Sequence, residues 1–308
     1  MKQKHCISLK DYTQEDLQEI FELARTLKAE PRAFGNALSG RSLAMIFQKP
    51  STRTRVSFEV GMFQLGGTAL YLGPGDIQLN RGETVQDTAR VLSRFCDAIL
   101  ARVFAHQDIL DLARSSTVPV INGLSDLLHP CQALADFFTL LERRGSLEGL
   151  KIAYIGDGNN VCHELMLGAA ILGMRMSIAT PEGYAPSPVI TKAAGREAQK
   201  GKTTPPELLH DPLAAAEGAD AVYTDVWTSM GQESESQDRV RAFQGFCVTS
   251  DVMAVAAPDA VFMHCLPAHR GEEVAAEVID GPQSVVFDEA ENRLHTQKAL
   301  LLLLLGAA

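Results

Sequence analysis

The sequence predicts an α/β protein built from two doubly wound parallel-sheet domains. Three observations carry that reading. Short apolar runs alternate with amphipathic stretches of helical period along the whole chain. The 308 residues exceed what one ordinary core organises and fit two domains of about 150 residues each. After a glycine-marked break at Gly145–Gly149 a new strand, Gly-rich turn and helix begin in "KIAYIGDGNNVCHEL". The predicted domains are residues 1–147 and 148–290.

The elements follow in order. Thr13 caps a first helix whose apolar positions Leu17, Ile20, Phe21, Ala24 and Leu27 have helical spacing. "RSLAMIFQ" reads as a short buried strand, and an amphipathic helix from Arg55 to Leu65 ends at Gly66-Gly67. "TALYLG" is a strand, "ETVQDTARVLSRF" a helix, "AILARVF" a strand, and a helix starts at His106. "PVINGL" is the next strand, and "HPCQALADFFTLLERRG" is a long helix closed by Gly145. Beyond the break, "MSIAT", "DAVYTDVW", "VFMHCLP" and "SVVFDEA" read as further strands separated by helical stretches.

Composition narrows the function classes. Net charge is −10 and the pI about 5.3, which disfavours general nucleic-acid or membrane-surface binding, so any basic cluster needs a local reason. Cys6, Cys96, Cys131, Cys162, Cys247 and Cys265 form no Cys-x-x-Cys pair and read as free thiols of a reducing cytoplasm. The polar N-terminal stretch reads as neither a signal nor a transit peptide. The Leu300–Leu305 run is far shorter than the ~20 apolar residues of a membrane span and reads as the buried end of a C-terminal helix.

Five segments carry candidate chemistry. In "PSTRTR" a strand gives way to a helix near Ser51, so free N–H groups and the positive helix end point at one spot. Ser51, Thr52 and Thr54 add hydroxyls, and Arg53 and Arg55 add planar forks for phosphate or carboxylate. A lone cap with one arginine would be a solvated surface helix; five donor residues at one turn favour a phosphate site that is not a Walker loop. "GDGNN" resembles the start of a dinucleotide fingerprint, but Val161 stands at the third glycine; Glu182 lies near the ribose-acid distance. The alternative is a turn presenting Asn159 and Asn160 to a small polar ligand. "LLHPCQALAD" places His129, Pro130, Cys131 and Gln132 at a helix N-terminus, and "FMHCLPAHRGEEV" places His264, Cys265 and Leu266 at a strand end. Common zinc spacings are absent, so no metal is expected. "TDVWTSMGQE" puts Asp225 at another strand end, either capping a turn or pairing with a ligand ammonium.

Taken together, "STRTR", "HPCQALAD", "DVWTSMG", "HCLPAHRGEEV" and "DEAENRLHTQKALL", in that order, resemble the aspartate/ornithine carbamoyltransferase family over essentially the whole chain. "STRTR" and "HPCQ" suit both branches; "HCLP" and the "D…SMG" loop point to the ornithine branch. The resemblance implies that Ser51, Thr52, Arg53 and Thr54 hold the phosphate of carbamoyl phosphate. It implies that Arg102, His129, Pro130, Cys131, Gln132, Cys265, Leu266 and Arg293 complete that site, with Gln78 reaching into a neighbouring subunit's site. Asn160, Asp225, Ser229 and Met230 would hold L-ornithine, and Arg102, His129 and Cys265 would carry the catalysis. The implied site lies in the cleft between the two domains, no cofactor or metal takes part, and the assembly is a cytoplasmic homotrimer with shared sites. A last helix, about 291–308, would pack back on the first domain.

Other readings remain at this point: a carbamoyltransferase acting on putrescine, an acylated ornithine or aspartate; a nicotinamide-dependent dehydrogenase built on "GDGNN"; and a non-catalytic binding subunit. Asp225 counts against the acylated amine, and "STRTR" is unexplained by a dehydrogenase.

Overall fold

A computed structural model describes residues 3–78, 82–201, 203–228 and 233–308. The chain forms two compact units. One comprises Met1–Phe138 with Glu291–Ala308, the other Thr139–Ala290.

The first unit begins with helix α1 (Gln14–Ala29), opened by a capping box in which Thr13 and Asp16 bond each other's backbone N–H. Four strands follow, β1 (Ser42–Phe47), β2 (Thr68–Leu72), β3 (Ala98–Arg102) and β4 (Val120–Leu124). They alternate with α2 (Thr52–Gln64), α3 (Val85–Leu92), α4 (His106–Ser115) and α5 (Pro130–Arg144). All pairings are parallel, in the order β2-β1-β3-β4. The central strands β1 and β3 are near-continuous apolar runs because helices cover both faces of a parallel sheet. Cys6 extends the outer edge: its N–H bonds Val120 O at 2.8 Å and its carbonyl takes Asn122 N–H at 2.7 Å.

The second unit holds β5 (Lys151–Ile155), α6 (Asn160–Ile171), β6 (Arg175–Ala179), α7 (Pro188–Lys200), β7 (Glu207–Leu209) and α8 (Pro212–Ala216). It continues with β8 (Ala221–Thr224), α9 (Ser236–Ala242), α10 (Ser250–Val255), β9 (Val261–His264) and α11 (Ala276–Ile279). This sheet is also parallel, in the order β7-β6-β5-β8-β9. The last helix, α12 (Val286–Leu304), contributes residues to both units.

Both sheets reverse winding direction once, between β1 and β3 in the first and between β5 and β8 in the second. At such a switch point successive loops diverge, leaving a crevice at the carboxyl ends of the strands. The segments "KPSTR", Arg102, "GDGNN" and Asp225 all sit at those strand ends.

Two sequence readings are corrected. "SVVFDEA" is not a strand: Ser284 makes one bridge to Phe262, and α12 starts at Val286. The β-branched pair suggested a strand, but Glu289 N–H already bonds Val285 O at 2.9 Å, and helical spacing carries on from there. The edge strand β7 has no counterpart in the sequence reading; three residues, two exposed and one half-buried, leave no periodic signal. Leu300–Leu302 are fully buried, and no helix among the described residues is long and apolar enough to cross a membrane.

Candidate functional site

Helix α2 starts directly after β1 because Ser51 is extended and its Oγ accepts Thr54 N–H at 3.2 Å. That cap leaves other first-turn N–H groups of α2 facing outward, with Arg53 beside them. Arg55 is not part of the cluster: two residues along a helix it faces elsewhere, paired with Glu59 at 3.4 Å and stacked 3.8 Å from the Tyr71 ring. Arg102 ends β3, where the ladder to β4 slips at Ala101/Arg102, a shift of the kind that re-aims a side chain. It is buried.

His129 immediately precedes α5 and is buried, with Nδ1 lacking a hydrogen-bond partner among the described residues. Burial holds its pKa well below the usual imidazole value, and the positive charges of Arg293, Arg102 and Arg53 push it the same way. Both causes favour the neutral imidazole, the second through the charges of three guanidinium groups. Arg293, on α12 and 2% exposed, donates through Nη1 to Gln132 Oε1 at 2.7 Å and through Nη2 to Thr54 Oγ1 at 3.2 Å. With its amide oriented to satisfy its neighbours, Gln297 accepts from Arg293 Nε at 2.9 Å and donates to Ser57 Oγ at 2.6 Å. Gln132 in turn donates to Asp136 Oδ1 at 2.8 Å. The structure thus gathers Ser51, Arg53, Thr54, Arg102, His129, Gln132 and Arg293 in the first unit. Thr52 is exposed on the same turn, Pro130 is the first residue of α5, and the Cys131 thiol turns away to donate to Asn122 O at 3.4 Å. Gln78 is exposed, its carbonyl accepting Glu83 N–H at 3.2 Å.

The second unit brings three strand ends together. Asp225, after β8, is buried; its Oδ1 accepts Val226 N–H at 2.8 Å and the Cys265 thiol at 3.0 Å. Its Oδ2 accepts Asn159 Nδ2 at 2.7 Å. Asn159 caps α6 as well: Oδ1 accepts Val161 N–H at 3.0 Å, Cys162 N–H at 3.1 Å and the Tyr154 hydroxyl at 3.2 Å. Of the two asparagines read as ligand-facing, Asn159 is thus engaged internally, and Asn160 is the half-buried first residue of α6. Cys265 and Leu266 follow β9, with Leu266 at φ 55 and a cis bond to Pro267. Ser229 and Met230 lie outside the described residues.

Nearby, Asp157 pairs with Arg239 at 3.0 Å. Burial pushes Asp157 up to about 6, with Arg239 opposing and Asp225 and Glu235 adding to the rise. Arg239 also donates to Trp227 O at 2.9 Å and lies 5.1 Å from the Tyr184 ring centre. Neither residue was singled out from the sequence, because partners 82 positions apart leave no local pattern.

Two groups of described residues bring possible metal donors within 4.8 Å of one another: Asp225, His264 and Cys265, and His269, Glu272 and Glu273. In the first, both His264 nitrogens already face partners, Leu266 N–H at 2.8 Å and Glu273 Oε1 at 3.2 Å. A metal there would displace one of these bonds.

Comparison with known proteins adds to this geometry. Residues 4–142 match the family model "Aspartate/ornithine carbamoyltransferase, carbamoyl-P binding domain", and residues 148–304 match "Aspartate/ornithine carbamoyltransferase, Asp/Orn binding domain". A Thermococcus kodakarensis protein named ornithine carbamoyltransferase is 56% identical over 308 residues, covering 98% of this chain and 96% of its own. The Pyrococcus furiosus protein named "Ornithine carbamoyltransferase, anabolic" is also 56% identical, over 98% of this chain and 96% of its own. The solved P. furiosus structure superposes with a TM-score of 0.94, covering 98% of this chain and 97% of that one. Matches of this extent in both halves show that the chain belongs to the aspartate/ornithine carbamoyltransferase family.

Proposed function

We propose that this chain transfers the carbamoyl group of carbamoyl phosphate to the δ-amine of L-ornithine, giving L-citrulline and phosphate. The observation that carries the reading is the buried Arg293 fork on Gln132 and Thr54 beside the start of α2, with the buried His129, whose neutral form burial and the charges of Arg293, Arg102 and Arg53 favour. Three cations suit a dianionic phosphate, while a neutral imidazole can donate one hydrogen bond to a carbonyl oxygen without adding a fourth charge.

The chemistry follows from these groups. The amine nitrogen bonds to the carbamoyl carbon, the C–O bond to phosphate breaks, and phosphate leaves with the electron pair. Arg53, Arg102 and the α2 N-terminus stabilise the charge that grows on that oxygen, and His129 the charge on the carbonyl oxygen. Ser51, Thr52, Thr54, Gln132 and Arg293 hold the donor substrate, with Pro130 and Cys131 placing the start of α5 beside it. A free alkyl amine has a pKa near 10.4, so at pH 7 about one in 2,500 is neutral, a selection costing about 4.6 kcal/mol. The Cys265 thiol, hydrogen-bonded to Asp225 at 3.0 Å, is the group this reading places by the amine, to orient it or to take up the proton that must leave. Asn160, Asp225, Ser229 and Met230 take the amino-acid end of ornithine, and Leu266 lies beside the reacting groups.

The same reading carries a cytoplasmic homotrimer in which Gln78 serves a neighbour's site. Helix α2 supports an assembly: Val56, Val60 and Phe63 form an exposed apolar stripe, Phe63 being 78% exposed. The name of the P. furiosus relative, which includes the word anabolic, favours a biosynthetic role. A colorimetric citrulline assay with carbamoyl phosphate and a panel of ornithine, putrescine, N-acetylornithine and aspartate tests the reaction. Citrulline from ornithine alone is expected; turnover of another amine in preference would replace the acceptor. Light scattering on the purified protein checks the trimer.

A further inference from the structure

We infer that Glu273, acting through His264, is the positioning residue that holds the Cys265–Leu266 segment in its working conformation. Leu266 is the one non-glycine with positive φ among the described residues, at 55°. That left-handed backbone is unfavourable for a side chain with a Cβ and persists only where neighbours over-determine it. The neighbour here is the imidazole two residues back: Leu266 N–H donates to His264 Nδ1 at 2.8 Å. Nδ1 can accept only if it carries no proton.

Glu273 selects that state of the ring. His264 Nε2 lies 3.2 Å from Glu273 Oε1, so the ring's proton sits on Nε2 and is donated to the carboxylate. Both side chains are 0% exposed, and no solvent can substitute for either bond. Glu273 is itself fixed. Its Oε1 also takes His269 N–H at 2.5 Å, closing the loop from Pro267 to Glu272, and its backbone carbonyl takes Val248 N–H at 2.9 Å. His264 is held from the other side by its N–H, which donates to Glu289 Oε2 at 3.0 Å. Cys265 therefore lies between two anchored residues, and its thiol donates to Asp225 Oδ1 at 3.0 Å. Remove the Glu273 acceptor and the ring loses its reason to keep the proton on Nε2. The other tautomer, or an imidazolium, repels the Leu266 N–H, and the left-handed turn relaxes.

The kinetic arm rests on the proposed carbamoyl transfer. Glu273→Ala and His264→Gln are expected to lower kcat by roughly tenfold or more. His264→Asn places an amide oxygen where Nδ1 stood and is expected to recover most of that loss, as is Glu273→Gln, whose amide oxygen still accepts. Equal kcat in His264→Asn and His264→Gln, or a full kcat in Glu273→Ala, overturns the proposal. Nitrogen NMR of the unmodified full chain, labelled in histidine, tests it without relying on any variant's folding. His264 protonated on Nε2 alone is expected, and a ring protonated on Nδ1 overturns it. An unmodified enzyme that makes no citrulline would sink the reaction and leave the tautomer result standing.

Discussion

The Cys265 thiol donates to Asp225 Oδ1 at 3.0 Å, so a residue from the end of β9 and one from the end of β8 share a hydrogen across the second sheet. The same carboxylate is held by Asn159 and Val226, which leaves its orientation little freedom. Cys265→Ala removes one donor and is expected to raise the ornithine KM by roughly tenfold and shift the pH profile of kcat, while Cys265→Ser keeps a donor and most of the activity. Steady-state kinetics over pH checks this. An unaltered profile in the alanine variant would leave the thiol as packing.

Asp225→Asn separates binding from folding. The new amide meets the Asn159 amide donor, and the charge that pairs with an α-ammonium is gone. Ornithine binding is expected to weaken by about 10- to 100-fold with carbamoyl phosphate binding spared. Isothermal titration with each substrate measures both, and a loss of equal size for the two would point to misfolding.

The parts of this molecule that were legible in the sequence are those with a local signature. The Thr13 cap, the apolar runs of β1, β3 and β5, and the "PSTRTR" start of a helix all depend on residues within a few positions of one another. What was not legible depends on pairing across the fold. Arg55 looked equivalent to Arg53 in a string, yet helical geometry sends it to Glu59 and Tyr71. Val285-Val286-Phe287 has strand composition, but the carboxylate of Glu289 is needed by Tyr223 and His264, and a helix delivers it. Asn159 reads as a ligand-facing amide beside Asn160; only the position of Asp225, 66 residues on, shows where it goes. Asp157, Arg239 and Glu273 became visible for the same reason, once their partners were in place.

His129 should stay neutral through the physiological range. Burial and the three arginines lower its folded pKa well below 6.5, so below that value the unfolded chain takes up a proton the folded chain refuses. Its contribution to stability is therefore present above about pH 6.5 and is lost as pH falls below it. The His129 ring resonance is expected not to titrate between about pH 8 and about pH 6, where an ordinary histidine would be half protonated near pH 6.5. A midpoint inside that window would contradict the neutral-donor role.

Asp157 gives the opposite slope. Its folded pKa is raised from 3.8 to about 6, so between those values the folded protein holds a proton that the unfolded chain has released. Stability from this group falls as pH rises through that window and is level above it, by roughly 3 kcal/mol in all. Asp157→Asn removes the titration and the Arg239 ion pair together. Urea unfolding of both proteins from about pH 4.5 to about pH 7 should show the wild type losing stability relative to the variant as pH rises. Parallel curves would take Asp157 out of the titration.

Arg293 offers the sharpest test of the first unit. Its guanidinium is buried and reaches three neutral oxygen acceptors, on Gln132, Thr54 and Gln297. The three lie on different elements, so one planar fork ties α12 to the starts of α2 and α5. A lysine keeps the charge but cannot satisfy all three from one nitrogen in that geometry. Arg293→Lys is expected to raise the carbamoyl phosphate KM by about tenfold or more and to destabilise the protein by about 1–3 kcal/mol, because at least one buried acceptor loses its donor. Replacing the guanidinium altogether with Arg293→Met would also remove one of the charges that favour neutral His129, so the His129 pKa should rise in that variant and not in the lysine one. Kinetics, urea denaturation and the His129 NMR titration are read on the same two proteins. A methionine variant whose His129 titrates as before would show that Arg293 does not act on the imidazole.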